Sequence, residues 1–115
     1  ATNADRFCPV PGGGEPDCGA IIAAIEACTD TCVEVVVGKP YVHTADAILT
    51  LLGLSPERCL MIGDRLETDV KLGLDAGMST ALVLSGVTDE TALEASELAP
   101  TYVLRRFDDL IPRGA

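Results

Sequence analysis

Three short apolar runs, Val33 to Val37, Cys59 to Ile62 and Thr80 to Leu84, each close on a pair of small or charged residues. The pairs are Gly38-Lys39, Gly63-Asp64 and Ser85-Gly86. Each run has the length of a strand, and the stretches between them repeat apolar residues at helical spacing. Asp17 reads as the N-cap of a helix over 18–28, with Ile21, Ile25 and Cys28 on one face. A second helix is expected from about Thr44 to Leu52, with Ala45, Ile48, Leu49 and Leu52 on one side and Gly53 at its C-cap. A third runs from about Glu67 to Ala76; Leu66, Val70 and Leu74 form its buried stripe, and Gly77 stops it. A short helix over 89–95, a last strand at Tyr102 to Leu104 and a helical turn over 107–111 complete the order. Residues 5–19 are rich in Pro and Gly and read as a loop.

Helices and strands therefore alternate. This pattern predicts an α/β fold, a Rossmann-like parallel sheet with flanking helices. Ligands of such sheets bind outside the carboxyl ends of the strands. The three terminal pairs should then share one edge and bring Lys39 and Asp64 toward each other.

Composition limits what could bind there. The 115 residues carry eighteen acidic and eight basic side chains, a formal charge of −10. A chain this acidic is not expected to bind nucleic acid through a phosphate-contacting face, nor an anionic membrane surface. With only two Phe, two Tyr and no Trp, it lacks a base-stacking platform. No run approaches the length needed to cross a bilayer, and no signal peptide is visible at the abrupt start, Ala1-Thr2-Asn3. That start is expected of a mature or truncated product. The five cysteines, Cys8, Cys18, Cys28, Cys32 and Cys59, are odd in number and irregular in spacing. They read as reduced thiols of a cytoplasmic protein, without a disulfide framework or zinc site.

Several familiar motifs fail. Gly38-Lys39 lacks the P-loop's first glycine, because position 33 is Val33, and its Ser or Thr, because position 40 is Pro40. Gly12-Gly13-Gly14 follows no strand, and Asp17 stands in the third glycine's place of a dinucleotide fingerprint. His43, the single histidine, reads as an exposed helix-start residue. The run Gly63-Asp64-Arg65-Leu66-Glu67-Thr68-Asp69 is the strongest chemical signal. It places Asp64 at a strand tip and Asp69 in the first turn of the next helix, where the dipole favours negative charge. Two carboxylates on one loop suit a hard cation such as Mg²⁺. Glu67 and Asp69 would equally serve only the helix N-terminus, and the pattern leaves both readings open. Lys39, at its own strand end, can balance phosphate charge or stand as a solvated loop lysine.

Together these residues resemble the haloacid-dehalogenase-like (HAD) phosphohydrolases. The resemblance is to the subclass of NagD-type, p-nitrophenyl and phosphoglycolate phosphatases. Ala1-Thr2-Asn3-Ala4-Asp5 is similar to the A-T-N-x-D segment near the end of that group's cap domain. Val37-Gly38-Lys39-Pro40 is similar to its lysine motif, residues 63–69 to its G-D-R-x-x-T-D acidic motif, and Leu82 to Thr88 to the strand that follows. A response-regulator receiver also uses an Asp and a Lys, but there the acceptor Asp precedes the Lys, and here Lys39 precedes Asp64.

The resemblance implies a fold, a division and a chemistry. Residues 1–35 would be the last piece of a cap domain and 36–115 the second half of a HAD-like core. An aspartate would attack phosphorus to form an aspartyl-phosphate, and a second aspartate two residues on would serve as general acid and base. Lys39 would hold nucleophile and phosphate together. Asp64 and Asp69 would form the Mg²⁺ site, and Asn3 and Asp5 would lie in the substrate-binding cap segment. The substrate would be a small phosphorylated metabolite. No D-x-D occurs in the sequence, so the isolated chain is expected to be inactive. The rival expectation is a non-catalytic α/β module that forms a homo-oligomer or pairs with an N-terminal half.

Overall fold

The computed structural model describes residues 1–111; the last four residues of the expected 36–115 segment lie outside them. The chain opens with a segment that leads into an antiparallel hairpin, β1 (Phe7–Val10) and β2 (Gly13–Pro16), in register from Phe7 opposite Pro16 to Val10 opposite Gly13. This corrects the loop expected over 5–19. Gly12 turns the chain with φ of 87°, a conformation open to glycine, and the prolines sit on strands that have no further neighbour. Helix α1 (Cys18–Thr29) follows, with the Asp17 carboxylate accepting from the Cys18 amide at 2.6 Å, as the sequence predicts. Its Ile21, Ile25 and Cys28 are exposed, so no element of the described chain covers the face they share.

Val33 to Val37 enters no sheet. It runs extended beside the N-terminus: the Ala1 ammonium donates to the Val35 carbonyl at 2.6 Å, and the Val37 amide donates to the Ala1 carbonyl at 2.9 Å. The expected first strand of the parallel sheet is thereby corrected. Its β-branched residues favour the extended backbone, but propensity does not choose the partner.

Helix α2 (Val42–Leu52) ends at Gly53, which takes φ of 64°. His43 is exposed in its first turn, and Ala45 is buried, whereas Ile48 and Leu52 of the expected apolar side are exposed. A 3₁₀ turn at Pro56–Arg58 leads into β3 (Leu60–Gly63). With β4 (Ser79–Val83) and β5 (Tyr102–Leu104), β3 forms a parallel sheet in the order β3-β4-β5. Leu60 lies opposite Ser79 and Gly63 opposite Leu82; Ala81 lies opposite Tyr102 and Val83 opposite Leu104.

The expected helix over 67–76 divides in two. A π-helical turn at Leu66–Val70 precedes α3 (Lys71–Asp75). In that turn the Val70 amide reaches back five residues to the Arg65 carbonyl at 3.1 Å. Leu66 and Val70 of the expected stripe are buried, but Leu74 is exposed, and Leu72 is buried in addition. Gly73 lets α3 lie close on the sheet, because a Cβ there would meet Thr80 and Met61. Helix α4 (Glu90–Glu94) is capped by the Asp89 carboxylate, which accepts from the Ala92 amide at 2.8 Å, and a 3₁₀ turn at Phe107–Leu110 follows β5. The core is Leu66, Val70 and Leu82, surrounded by the partly buried Leu84, Leu93 and Leu98.

Candidate active site

The carboxyl end of β3, the turn before α2 and the N-terminal segment meet at one cavity of about 500 Å³. It is lined by Thr2, Asn3, Asp5, Gly38, Lys39, Asp64, Arg65, Thr68 and Asp69. All five side chains singled out from the sequence, Asn3, Asp5, Lys39, Asp64 and Asp69, therefore border a common space. Thr2, Arg65 and Thr68 join them; they stood inside the quoted motifs, but type and spacing gave them no separate role.

The acidic loop is organised by Asp69, which is 3% exposed. Its Oδ1 accepts from Lys39 Nζ at 2.6 Å, and its Oδ2 accepts from the Asp64 and Arg65 amides, both at 3.2 Å. Gly63 is required here, since a Cβ would run into the Asp69 side chain. Both carboxylate oxygens are thus engaged by this chain. The Lys39 side chain is 49% exposed. Among the described residues its ammonium has only the Asp69 partner, which leaves donor capacity facing the cavity. Asp64 is held differently. Its Oδ2 accepts from the Val87 amide at 2.8 Å, and its carbonyl accepts from the Thr88 amide at 3.0 Å. Gly86 leaves it room, because a Cβ there would overlap the Asp64 carboxylate. Among the described residues no donor reaches Asp64 Oδ1.

The N-terminal segment forms the opposite wall. The Asp5 amide donates to Asn3 Oδ1 at 3.0 Å, the Gly19 amide to the Asp5 carbonyl at 2.8 Å, and the Asp17 amide to the Arg6 carbonyl at 3.2 Å. A Cβ at Gly38 would strike the Thr2 carbonyl, so that glycine sets how closely the lysine loop approaches this wall. The Thr2 hydroxyl donates to Cys18 Sγ at 3.2 Å, and this bond, helped by the backbone of Asn3, holds the thiol below its ordinary pKa.

An ammonium, a carboxylate oxygen without a donor and several exposed polar groups make a site for a small anion accompanied by a cation. Among the described residues no cluster of three or more His, Cys, Asp or Glu could hold a metal alone. No helix there is long and apolar enough to cross a membrane.

Residues 36–110 match the HAD-hydrolase-like family model. The chain is 39% identical over 109 residues to dihydroxyacetone phosphatase of Corynebacterium glutamicum (strain R), covering 95% of this chain and 39% of that protein. Its structure resembles that of 4-nitrophenylphosphatase from Thermotoga maritima, with a TM-score of 0.82, 44% identity, and coverage of 90% of this chain and 40% of the other. It also resembles NagD from E. coli K-12, with a TM-score of 0.77, 30% identity and coverage of 90% and 40%. The chain spans about two fifths of the length of these relatives.

Proposed function

The chain belongs to the HAD-like phosphatase superfamily, in the NagD and p-nitrophenyl phosphatase subclass, and from that premise we propose that it supplies the lysine and acidic half of a Mg²⁺-dependent phosphomonoesterase. The observation that carries this reading is the Lys39–Asp69 ion pair at 2.6 Å beside Asp64 in one cavity. Lys39 binds a phosphate oxygen while Asp69 fixes the direction of its ammonium. Asn3 and Asp5 contribute to the substrate wall: Asn3 spends its carbonyl oxygen on the Asp5 amide and keeps its amide donors for a ligand.

The donor set fits a share of a Mg²⁺ site. This ion is commonly held by one or two carboxylates together with water and substrate phosphate. Asp64 would offer its Oδ1, and Asp69 would support the site from behind, through Lys39 and the loop amides. When bound, the ion would supply positive charge against the phosphate. The nucleophile belongs to residues that these 115 do not include, since no D-x-D is present. The family match beginning at residue 36 supports a division into a cap remnant, 1–35, and half of a core, 36–115. The five free cysteines support the cytoplasm as its compartment. The substrate is a small phosphorylated metabolite.

A second reading, a non-catalytic module that pairs with an N-terminal half or with itself, is favoured by the free outer edge of β3. The two separate in one experiment. The chain is mixed with, or joined to, an N-terminal segment bearing D-x-D, and Mg²⁺-dependent phosphate release from p-nitrophenyl phosphate is followed. Release is expected only in the combination, and Lys39→Ala should abolish it. Turnover by the chain alone that survives Lys39→Ala would sink the assignment. A stable complex without turnover would favour the module.

A further inference from the structure

Asp64 is held at three points by residues outside its own strand. Its amide donates to Asp69 Oδ2 at 3.2 Å, its carbonyl accepts from the Thr88 amide at 3.0 Å, and its Oδ2 accepts from the Val87 amide at 2.8 Å. The last two come from the turn that follows β4, and the Val87 bond spans 23 residues of sequence. Gly86 lets this turn close on the acid, because a Cβ there would overlap the Asp64 carboxylate. Its φ lies outside the left-handed region, so glycine stands at 86 for clearance and not for conformational freedom. Neither Gly86 nor Val87 borders the cavity that holds Lys39; they reach it only through Asp64.

Hydrogen bonds that orient a ligating carboxylate are part of a metal site. Resting on the Mg²⁺ reading above, we propose that the Gly86-Val87 turn is the positioning element of that site. By keeping Oδ2 on the Val87 amide, it leaves Oδ1 as the one oxygen Asp64 presents to a cation. A turn that only closed the end of β4 would affect the stability of the chain. A positioning turn also sets how tightly the folded chain takes the ion.

The test titrates Mg²⁺ into the 115-residue chain and follows the Asp64 and Val87 amides by NMR, with Asp64→Ala subtracted to remove binding elsewhere on the acidic surface. Gly86→Ala is expected to keep the amide spectrum of a folded chain and to weaken Mg²⁺ at Asp64 about tenfold or more, the range for loss of an outer hydrogen-bond partner. A second measurement needs no variant in the turn. The Val87 residue is 64% exposed, so slow exchange of its amide with water reports the bond to Asp64. Exchange is expected to be slow in the wild type, fast in Asp64→Ala, and still slow when Mg²⁺ saturates the site. A folded Gly86→Ala chain that binds Mg²⁺ as tightly as the wild type overturns the inference and leaves the Mg²⁺ reading standing. So does a Val87 amide that loses its protection as Mg²⁺ binds, whether or not Gly86→Ala folds. A wild-type chain whose Asp64 amide does not respond to Mg²⁺ overturns both.

Discussion

The carboxylate of Asp69 takes the Lys39 ammonium on one oxygen and two backbone amides on the other. An asparagine keeps the shape but offers one acceptor and one N–H₂. Whichever way it turns, donors face donors, at either the ammonium or the loop amides. Leaving such buried donors unmet costs about 1–3 kcal/mol, and the half-exposed lysine places the charge part toward the lower end. Asp69→Asn is therefore expected to lower the urea midpoint by the equivalent of about 1–2 kcal/mol. Asp64→Asn should cost less, because its carboxylate meets a single amide, from Val87. Equal midpoints for wild type and Asp69→Asn would refute this account of the loop. Motif order in the sequence was enough to bring Lys39, Asp64 and Asp69 together at one cavity, although Lys39 follows no strand of the sheet. It could not show which acid the ammonium holds, because side chains 30 residues apart meet only through tertiary geometry.

At the scale of elements, the π-helical turn over Leu66–Val70 does most to separate pattern from structure. The apolar spacing puts Leu74 in line with Leu66 and Val70, yet Leu72 is 2% exposed and Leu74 38% exposed. Leu72→Ala should cost about 2–5 kcal/mol through lost contacts and a residual cavity, while Leu74→Ala should fall near or below about 1 kcal/mol. Chemical denaturation of the two variants checks this, and a larger loss at Leu74 would contradict the burial of Leu72 in its place. Helix α1 with its Asp17 cap, α2 with its Gly53 cap, and β4 within one residue of its expected bounds were legible because capping and apolar runs are local signals. The hairpin and the fate of Val33 to Val37 were not. Pairing of the first depends on register across the Pro11-Gly12 turn, and the second is held by the N-terminal residue, which lies far away in sequence.

The whole molecule is more extended than its length requires. Its radius of gyration is 16.4 Å, with extents of 60 × 39 × 25 Å, against about 13 Å for a compact domain of this size. The excess goes with uncovered apolar surface. Ile21 and Ile25 on α1, Ile48 and Leu52 on α2, and Val103 on β5 are exposed, and Leu51 is 87% exposed. Parallel sheets are ordinarily covered on both faces, yet among the described residues β3 ends the sheet on one side, with its outer backbone groups free of a strand partner. Apolar faces of this extent and an open strand edge drive association. The isolated chain is therefore expected to gain mass in sedimentation velocity as its concentration rises from the low to the high micromolar range. Leu60→Lys puts a charge on the open strand, where Leu60 is already partly exposed, and should shift the equilibrium toward monomer. An N-terminal segment bearing D-x-D should do the same by occupying that edge, with a single complex of fixed mass replacing the concentration-dependent species. A chain that stays monomeric across the whole range, or a Leu60→Lys variant that associates as strongly as the parent, would mean that the edge of β3 does not drive association.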